Sequence, residues 1–131
     1  MALDVGTKRI GVSLSDFLHI TANGHGLVER EPEADAIEKI KKIAKENHVK
    51  IIVVGKPLNM DGTQGGQADD CIGFAKNFET DFDVVMEDER LTSSEAEANL
   101  RAKKIDFRKN KGLVDIESAC IILEQYLSRK K

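Results

Sequence analysis

Asp4 stands in a short apolar segment, Met1–Val5, where all four neighbours are hydrophobic. A carboxylate buried there without a partner would be strongly unfavourable, so it calls for a cation, a proton or a place at the rim of the fold. Two readings are open: an aspartate capping the turn at Gly6-Thr7, or a ligand for a divalent metal ion. Further acids stand at Asp88-Glu89, directly after a segment that reads as a strand, and at Asp115, in the first turn of a terminal helix. For Asp115 alone a helix N-cap is the simpler account. Acids on three separated elements, one of them in a strand that tolerates it poorly, suit phosphodiester hydrolysis. In that chemistry two Mg²⁺ ions about 3.5–4 Å apart, bridged by carboxylates, activate a water and stabilise the leaving oxygen. Mg²⁺ keeps several waters and takes few carboxylates, so no Cys or His cluster is needed.

Other chemistries find less support. The chain has no Gly-x-Ser-x-Gly elbow, and His19, His25 and His48 fall in or beside surface elements. The run Gly55-Lys56-Pro57-Leu58-Asn59-Met60-Asp61-Gly62 lacks the Gly-Lys-Ser/Thr ending of a phosphate-binding Walker loop. Cys71 and Cys120 form neither a CxxC pair nor a zinc-spaced set, and no Asn-x-Ser/Thr site occurs. Both facts accord with a reducing cytoplasm.

The elements that must position the acids follow from periodicity. Met1–Val5 reads as a first strand and Arg9–Asp16 as a second, with Ile10, Val12 and Leu14 on one face and Gly11, Ser13 and Ser15 on the other. Gly6-Thr7-Lys8 is the hairpin-like turn between them. A weaker, glycine-broken third strand is expected over Ile20–Val28. An amphipathic helix follows, with Pro32 in its first turn and Ile37, Ile40 and Ala44 on its apolar face. Ile51–Gly55 reads as a strand buried on both faces, hence with a parallel neighbour. Lys56–Gly66 is a loop, Gln67–Phe78 a helix and Phe82–Glu87 a further strand. Thr92 and Glu95 form a capping box, with Leu91 and Ala96 as a hydrophobic staple. Ile116, Ala119, Cys120, Leu123 and Leu127 make the apolar stripe of the last helix. Three early strands followed by alternating units predict a mixed sheet with helices on both faces.

With 131 residues, 40% hydrophobic and 33% charged, the chain is one domain, residues 1–131, whose core needs no disulfides or metals. No apolar run is long enough to span a membrane or form a signal peptide, so no membrane partner is expected. The net charge of −3 conceals a strong asymmetry. Asp81–Glu97 holds seven acids against Arg90, and Arg101–Lys111 holds six Lys or Arg against one Asp. Such a basic run is either a solvated loop or a phosphate-binding surface.

Four motifs in order, Asp4-Val5-Gly6-Thr7-Lys8-Arg9-Ile10-Gly11-Val12, Val54–Thr63, Asp88-Glu89-Arg90-Leu91-Thr92, and Asp115 leading into Ile121–Leu127, resemble the YqgF or RuvX family over nearly the whole chain. Its bacterial members are described as Holliday junction resolvases and as nucleases that process the 5′ end of pre-16S ribosomal RNA. The resemblance implies an RNase H-like α/β fold, a five-stranded mixed sheet in the order 3-2-1-4-5 flanked by helices. It implies Asp4, Glu89 and Asp115 as the catalytic acids holding Mg²⁺ or Mn²⁺. It also implies that Lys8, Arg9 and Arg90 face phosphates and that Asn59 lies in a glycine-rich loop, which either binds substrate or is only a tight strand-to-helix connection. Related resolvases carry an acid at the end of the fourth strand, where this chain has Gly55. The end of the fifth strand lies two strand spacings from the first, roughly 10 Å, so Glu89 must reach inward.

Three functions compete on these residues. The first is a metal-dependent endonuclease acting on structured RNA, with branched DNA as the alternative substrate. The second is nucleotide binding, since Asp-x-Gly-Thr also resembles the first phosphate loop of the actin and sugar-kinase superfold, which needs a second lobe. The third is a nucleic-acid-binding factor of the same fold without catalysis. A junction resolvase would require a two-fold homodimer, whereas trimming an RNA end would not. One Tyr, five Phe and no Trp leave little for base stacking, so backbone recognition is expected.

Overall fold

The alternation over Arg9–Ser15 and the short apolar segment before it fold as a hairpin. Strands β1 (Ala2–Val5) and β2 (Arg9–Ser15) pair antiparallel, with Asp4 opposite Gly11 and Val5 opposite Ile10. The computed structural model describes residues 1–16, 18–57, 61–63, 65–89, 92–105 and 112–129, with the backbone alone for 92–94. β3 (Ala22–Glu29) pairs antiparallel with β2, and β4 (Ile51–Lys56) joins β1 in parallel and β5 (Asp83–Asp88) in parallel. The sheet order is β3-β2-β1-β4-β5, the mixed order expected. Its helices are α1 (Glu33–Glu46), α2 (Gly66–Ala75, extended by a 3₁₀ turn at Lys76–Phe78), α3 (Thr92–Ala102) and α4 (Gly112–Arg129).

Side-chain alternation along β1 and β4 sends two sets of residues to opposite faces, and each face has its own core. Leu3, Val5, Ile10, Val12, Ile52 and Val54 pack under Ala36, Ile40 and Ala44 of α1 and Cys71 and Phe74 of α2. Ala2 and Val53 pack on the other face against Ile122, Leu123, Tyr126 and Leu127 of α4. Helices therefore cover both faces, which is why β4 is an apolar run rather than an alternating one.

Several boundaries differ from the sequence expectation for definite reasons. The Asp16 carboxylate accepts the amides of Ile20 and Thr21, closing a turn that delays β3 to Ala22 and leaves Ile20 exposed. Pro32 sits at the cap of α1 in extended backbone rather than inside its first turn. Lys56 pairs with Asp88 and so belongs to β4 rather than to the loop. The α4 stripe is too narrow as first drawn, because Ser118, Ile121, Ile122 and Tyr126 are buried as well. The helix has the sheet on one side and α3 on the other. Leu91, the side chain of Thr92 and much of the Arg101–Lys111 basic run lie outside the described residues.

The supposed polar face of β2 is also buried, because α4 lies on it. The Ser13 hydroxyl donates to the Ala119 carbonyl at 2.8 Å, and Gly24 leaves room for Ile116, whose Cγ2 would stand 2.6 Å from a Cβ there. Gly11 is tighter still, since a Cβ would collide with the Asp115 carbonyl. Gly11→Ala is expected to lower stability by about 2–4 kcal/mol in urea denaturation, because the obstacle is backbone that cannot rotate away. Gly73→Ala, in α2 with open space around it, is expected to gain about 0.5–1 kcal/mol.

Candidate active site

Asp4 lies at the carboxyl end of β1, in the middle strand of the sheet, on the face that α4 covers. Glu89 follows β5 directly, two strands away. Between them is β4, whose residue at that level is Gly55. A Cβ at Gly55 would stand 2.6 Å from Glu89 Oε2 and 2.6 Å from Ile122 Cδ1. The missing side chain is thus the space through which Glu89 crosses the sheet. The inward reach required of it occurs, and a side-chain hydrogen bond joins it to Asp4.

Two carboxyl groups this close and partly buried cannot both ionise easily. Desolvation and then the neighbouring Asp115 charge push the Asp4 carboxyl up to about 7, against which the bond from Glu89 acts. Desolvation, then Asp4 and Asp88, push Glu89 up to about 9. The shared bond acts in opposite senses on the two acids, lowering Asp4 and raising Glu89, while burial raises both. The pair titrates as a unit. Among the described residues no cation belongs to the groups that shift either acid.

Asp115 sits in the first turn of α4, three residues after Gly112, held over β2 by the close approach at Gly11. It is not the N-cap residue of α4. Its Oδ2 accepts a hydrogen bond from Arg9 Nε at 2.5 Å, and its charge is felt at Asp4. Among the described residues no three His, Cys, Asp or Glu side chains are gathered tightly enough to hold a metal ion. Asp4 and Glu89 are in contact; Asp115, bound to Arg9, is near enough for its charge to act on Asp4. Glu87, on the same face of β5, is buried and paired with Arg129.

Of the residues expected to face phosphates, Arg9 is beside the acids through Asp115. Lys8 is exposed in the β1–β2 turn. Asn59 and Arg90 lie outside the described residues.

The sequence reading missed Arg30, which is 7% exposed. Its guanidinium donates to both Asp70 oxygens at 2.6 and 2.8 Å, to the Gly6 carbonyl at 3.1 Å and to Glu33 at 3.2 Å, and it lies over the Phe74 ring. Its amide donates to the Lys8 carbonyl at 3.0 Å. The Arg30 guanidinium holds Asp70 below the usual carboxylate range. Together these bonds tie the turn that carries Lys8 and Arg9 to α2. No local signal marked Arg30, because Asp70 is 40 positions away. The Cys71 thiol, buried and directed to the Val5 carbonyl, is pushed up to about 12 by desolvation and then by the nearby acids, which makes it no nucleophile.

Comparison with known proteins bears on this geometry. The sequence profile of RuvX, described as Holliday junction resolvase, matches residues 1–129. The chain belongs to the RuvX family. Curated relatives named "Putative pre-16S rRNA nuclease" include one from Crocosphaera subtropica, 42% identical over 133 residues and covering 100% of this chain and 93% of the relative. Another, from Clostridioides difficile, is 42% identical over 132 residues, with 99% and 94% covered. Among solved structures, fowlpox virus resolvase in complex with Holliday junction DNA superposes with a TM-score of 0.57 at 13% identity, covering 98% of this chain and 95% of that one. RuvC from T. thermophilus, also with a junction substrate, gives 0.55 at 14% identity, covering 98% and 92%. The RuvX chain thus has the RNase H-like fold of these resolvases.

The acid pair makes a stability prediction with a definite sign. Both carboxyls bind protons more tightly folded than unfolded, so their contribution is fully present below about pH 4. It is lost as pH rises through about 7 for Asp4 and about 9 for Glu89. Asp4→Asn or Glu89→Gln is therefore expected to stabilise the protein at pH 8 in EDTA by about 1–3 kcal/mol, a gain that disappears near pH 4. Arg30→Met is expected to destabilise by about 2–4 kcal/mol, since it strands Asp70 and the Gly6 carbonyl. Urea melts across pH read both.

Proposed function

We propose that this RuvX protein is a metal-dependent endonuclease that processes the 5′ end of pre-16S rRNA. The observation that carries the reading is the Asp4–Glu89 contact across Gly55. Two acids, one from β1 and one directly after β5, meet at the carboxyl ends of a mixed sheet, where open α/β folds place their ligand sites. The substrate assignment leans on the naming of the relatives.

The donor set fits a hard cation. Asp4 and Glu89 offer carboxylate oxygens, and the charge of Asp115 acts on Asp4. Asp4 and Glu89 would hold Mg²⁺ or Mn²⁺, with Asp115 as the third acid. When bound, the ion lowers the pKa of water and offsets charge on the phosphate. The chain itself supplies the orientation. Sheet register fixes Asp4, the Gly55 gap fixes Glu89, and the Gly11 contact fixes the Asp115 backbone. Arg9, tied into a turn that Arg30 anchors, brings a guanidinium suited to phosphate oxygens. Substrate binding is expected to depend on the phosphate backbone, with affinity falling steeply as salt rises. The two cysteines are free and buried, and no helix of the described chain is long and apolar enough to cross a membrane. We place the protein in the cytoplasm on these grounds.

A second reading, cleavage of a four-way DNA junction as a homodimer, is favoured by the description of the family profile. Incubating the protein with a precursor rRNA fragment and with a four-way junction, each with Mg²⁺ or EDTA, separates the two. The expected result is Mg²⁺-dependent cleavage of the RNA at the 5′ boundary, reduced at least about 100-fold by Asp4→Asn with binding retained. Equal cleavage by both proteins would refute the assignment of the site. Cleavage confined to the junction would establish the second reading.

A further inference from the structure

The ion pair between Arg9 and Asp115 joins a residue expected to meet phosphate to one expected to meet metal. We propose that Arg9 is a coupling residue, which neutralises Asp115 while the acid site lacks a divalent ion and is released to the substrate phosphate when an ion engages Asp115. This inference rests on the nuclease reading above.

The geometry supports an exchange rather than a fixed strut. The backbone of Asp115 packs closely on Gly11, which keeps the residue on the side of the sheet where its charge acts on Asp4. Arg9 is the first residue of β2, carried by a turn whose path is fixed by the bond between Gly6 N–H and the Arg9 carbonyl and by the bond from Arg30 to the Gly6 carbonyl. Its side chain is 35% exposed and that of Asp115 24%. An ion pair with that much water around it is weak enough for a divalent ion to displace. The bond uses Nε alone, and the two terminal amino groups of Arg9 have no hydrogen-bond partner among the described residues. Those groups form the edge that can grip a phosphate in bidentate fashion. By contrast, both terminal amino groups of Arg30 are already bonded, two bonds each, and have no such free edge.

Coupling of this kind is reciprocal: an ion that frees Arg9 strengthens phosphate binding, and phosphate that draws Arg9 away strengthens ion binding. It also distinguishes Arg9 from a cation that only adds positive charge to the surface.

The test is Mn²⁺ binding to the full chain without nucleic acid, measured by calorimetry for wild type, Arg9→Gln, Asp115→Asn and the double variant. Arg9→Gln is expected to bind Mn²⁺ about two- to fivefold tighter than wild type, and to give no gain on the Asp115→Asn background. Unchanged or weaker binding by Arg9→Gln would overturn the proposal, as would an equal gain with Asp115→Asn, which would mark a long-range charge effect. In a second arm, the affinity of a short RNA duplex is measured in EDTA and in Ca²⁺. The wild type is expected to gain more from Ca²⁺ than Arg9→Gln does, and equal gains would refute the release of Arg9 to phosphate. Failure of the nuclease reading looks different. It appears as no Mn²⁺ binding by any of the four proteins, which also removes the basis of the exchange.

Discussion

Two carboxyl groups facing each other across a gap in the middle of a sheet are the constraint on which the rest of this structure depends. Asp4 and Glu89 arrive from strands that are not neighbours, and the strand between them contributes no side chain at that level. Close approach of two acids in a partly dry setting makes it harder for both to ionise together, and raises both. A fold selected only for stability would separate them or supply a cation. Here the surrounding packing over-determines the contact instead, which is the usual arrangement where binding chemistry is kept ready at the expense of stability.

That packing is built from small residues at three close approaches. Gly55 lets Glu89 through, Gly11 lets the first turn of α4 rest on β2, and Gly24 accommodates Ile116. The consequence is a helix laid across the sheet with Asp115 set beside the β1 end. Ser13 and Ala119 lock the helix at a second point one turn further on. On the opposite face, Leu3, Val5, Ile52 and Val54 hold β1 and β4 against α1 and α2, so Asp4 cannot slide out of register without moving both cores.

Electrostatics then divides the described cations by role. Arg30 is buried with both terminal amino groups bonded, joining α2 to the β1–β2 turn, and its removal would leave charge and a carbonyl stranded. Arg9 is half-exposed and singly bonded, so its pairing with Asp115 can change. Arg101 and Lys103, from the basic run near the end of α3, pair with Glu97 and Glu117. In that described part the run is the end of a helix and a turn held by ion pairs, rather than the solvated loop that was one of its two readings.

The sequence by itself determined the strand and helix order, because alternation and helical stripes are local and repeat along the chain. It also singled out Asp4, since a carboxylate among apolar residues in a strand is a local contradiction that demands a partner. The family motifs pointed to Glu89 and Asp115, and the strand spacing showed that Glu89 had to reach inward. Tertiary structure alone decided how that reach is made, by setting Gly55, 34 positions before Glu89 in the chain, between Glu89 and Asp4. It likewise decided that Asp115 pairs with Arg9 rather than capping its helix, and that Arg30 finds Asp70. These are contacts between distant segments, set by strand order and helix seating, and no periodicity in the chain encodes them.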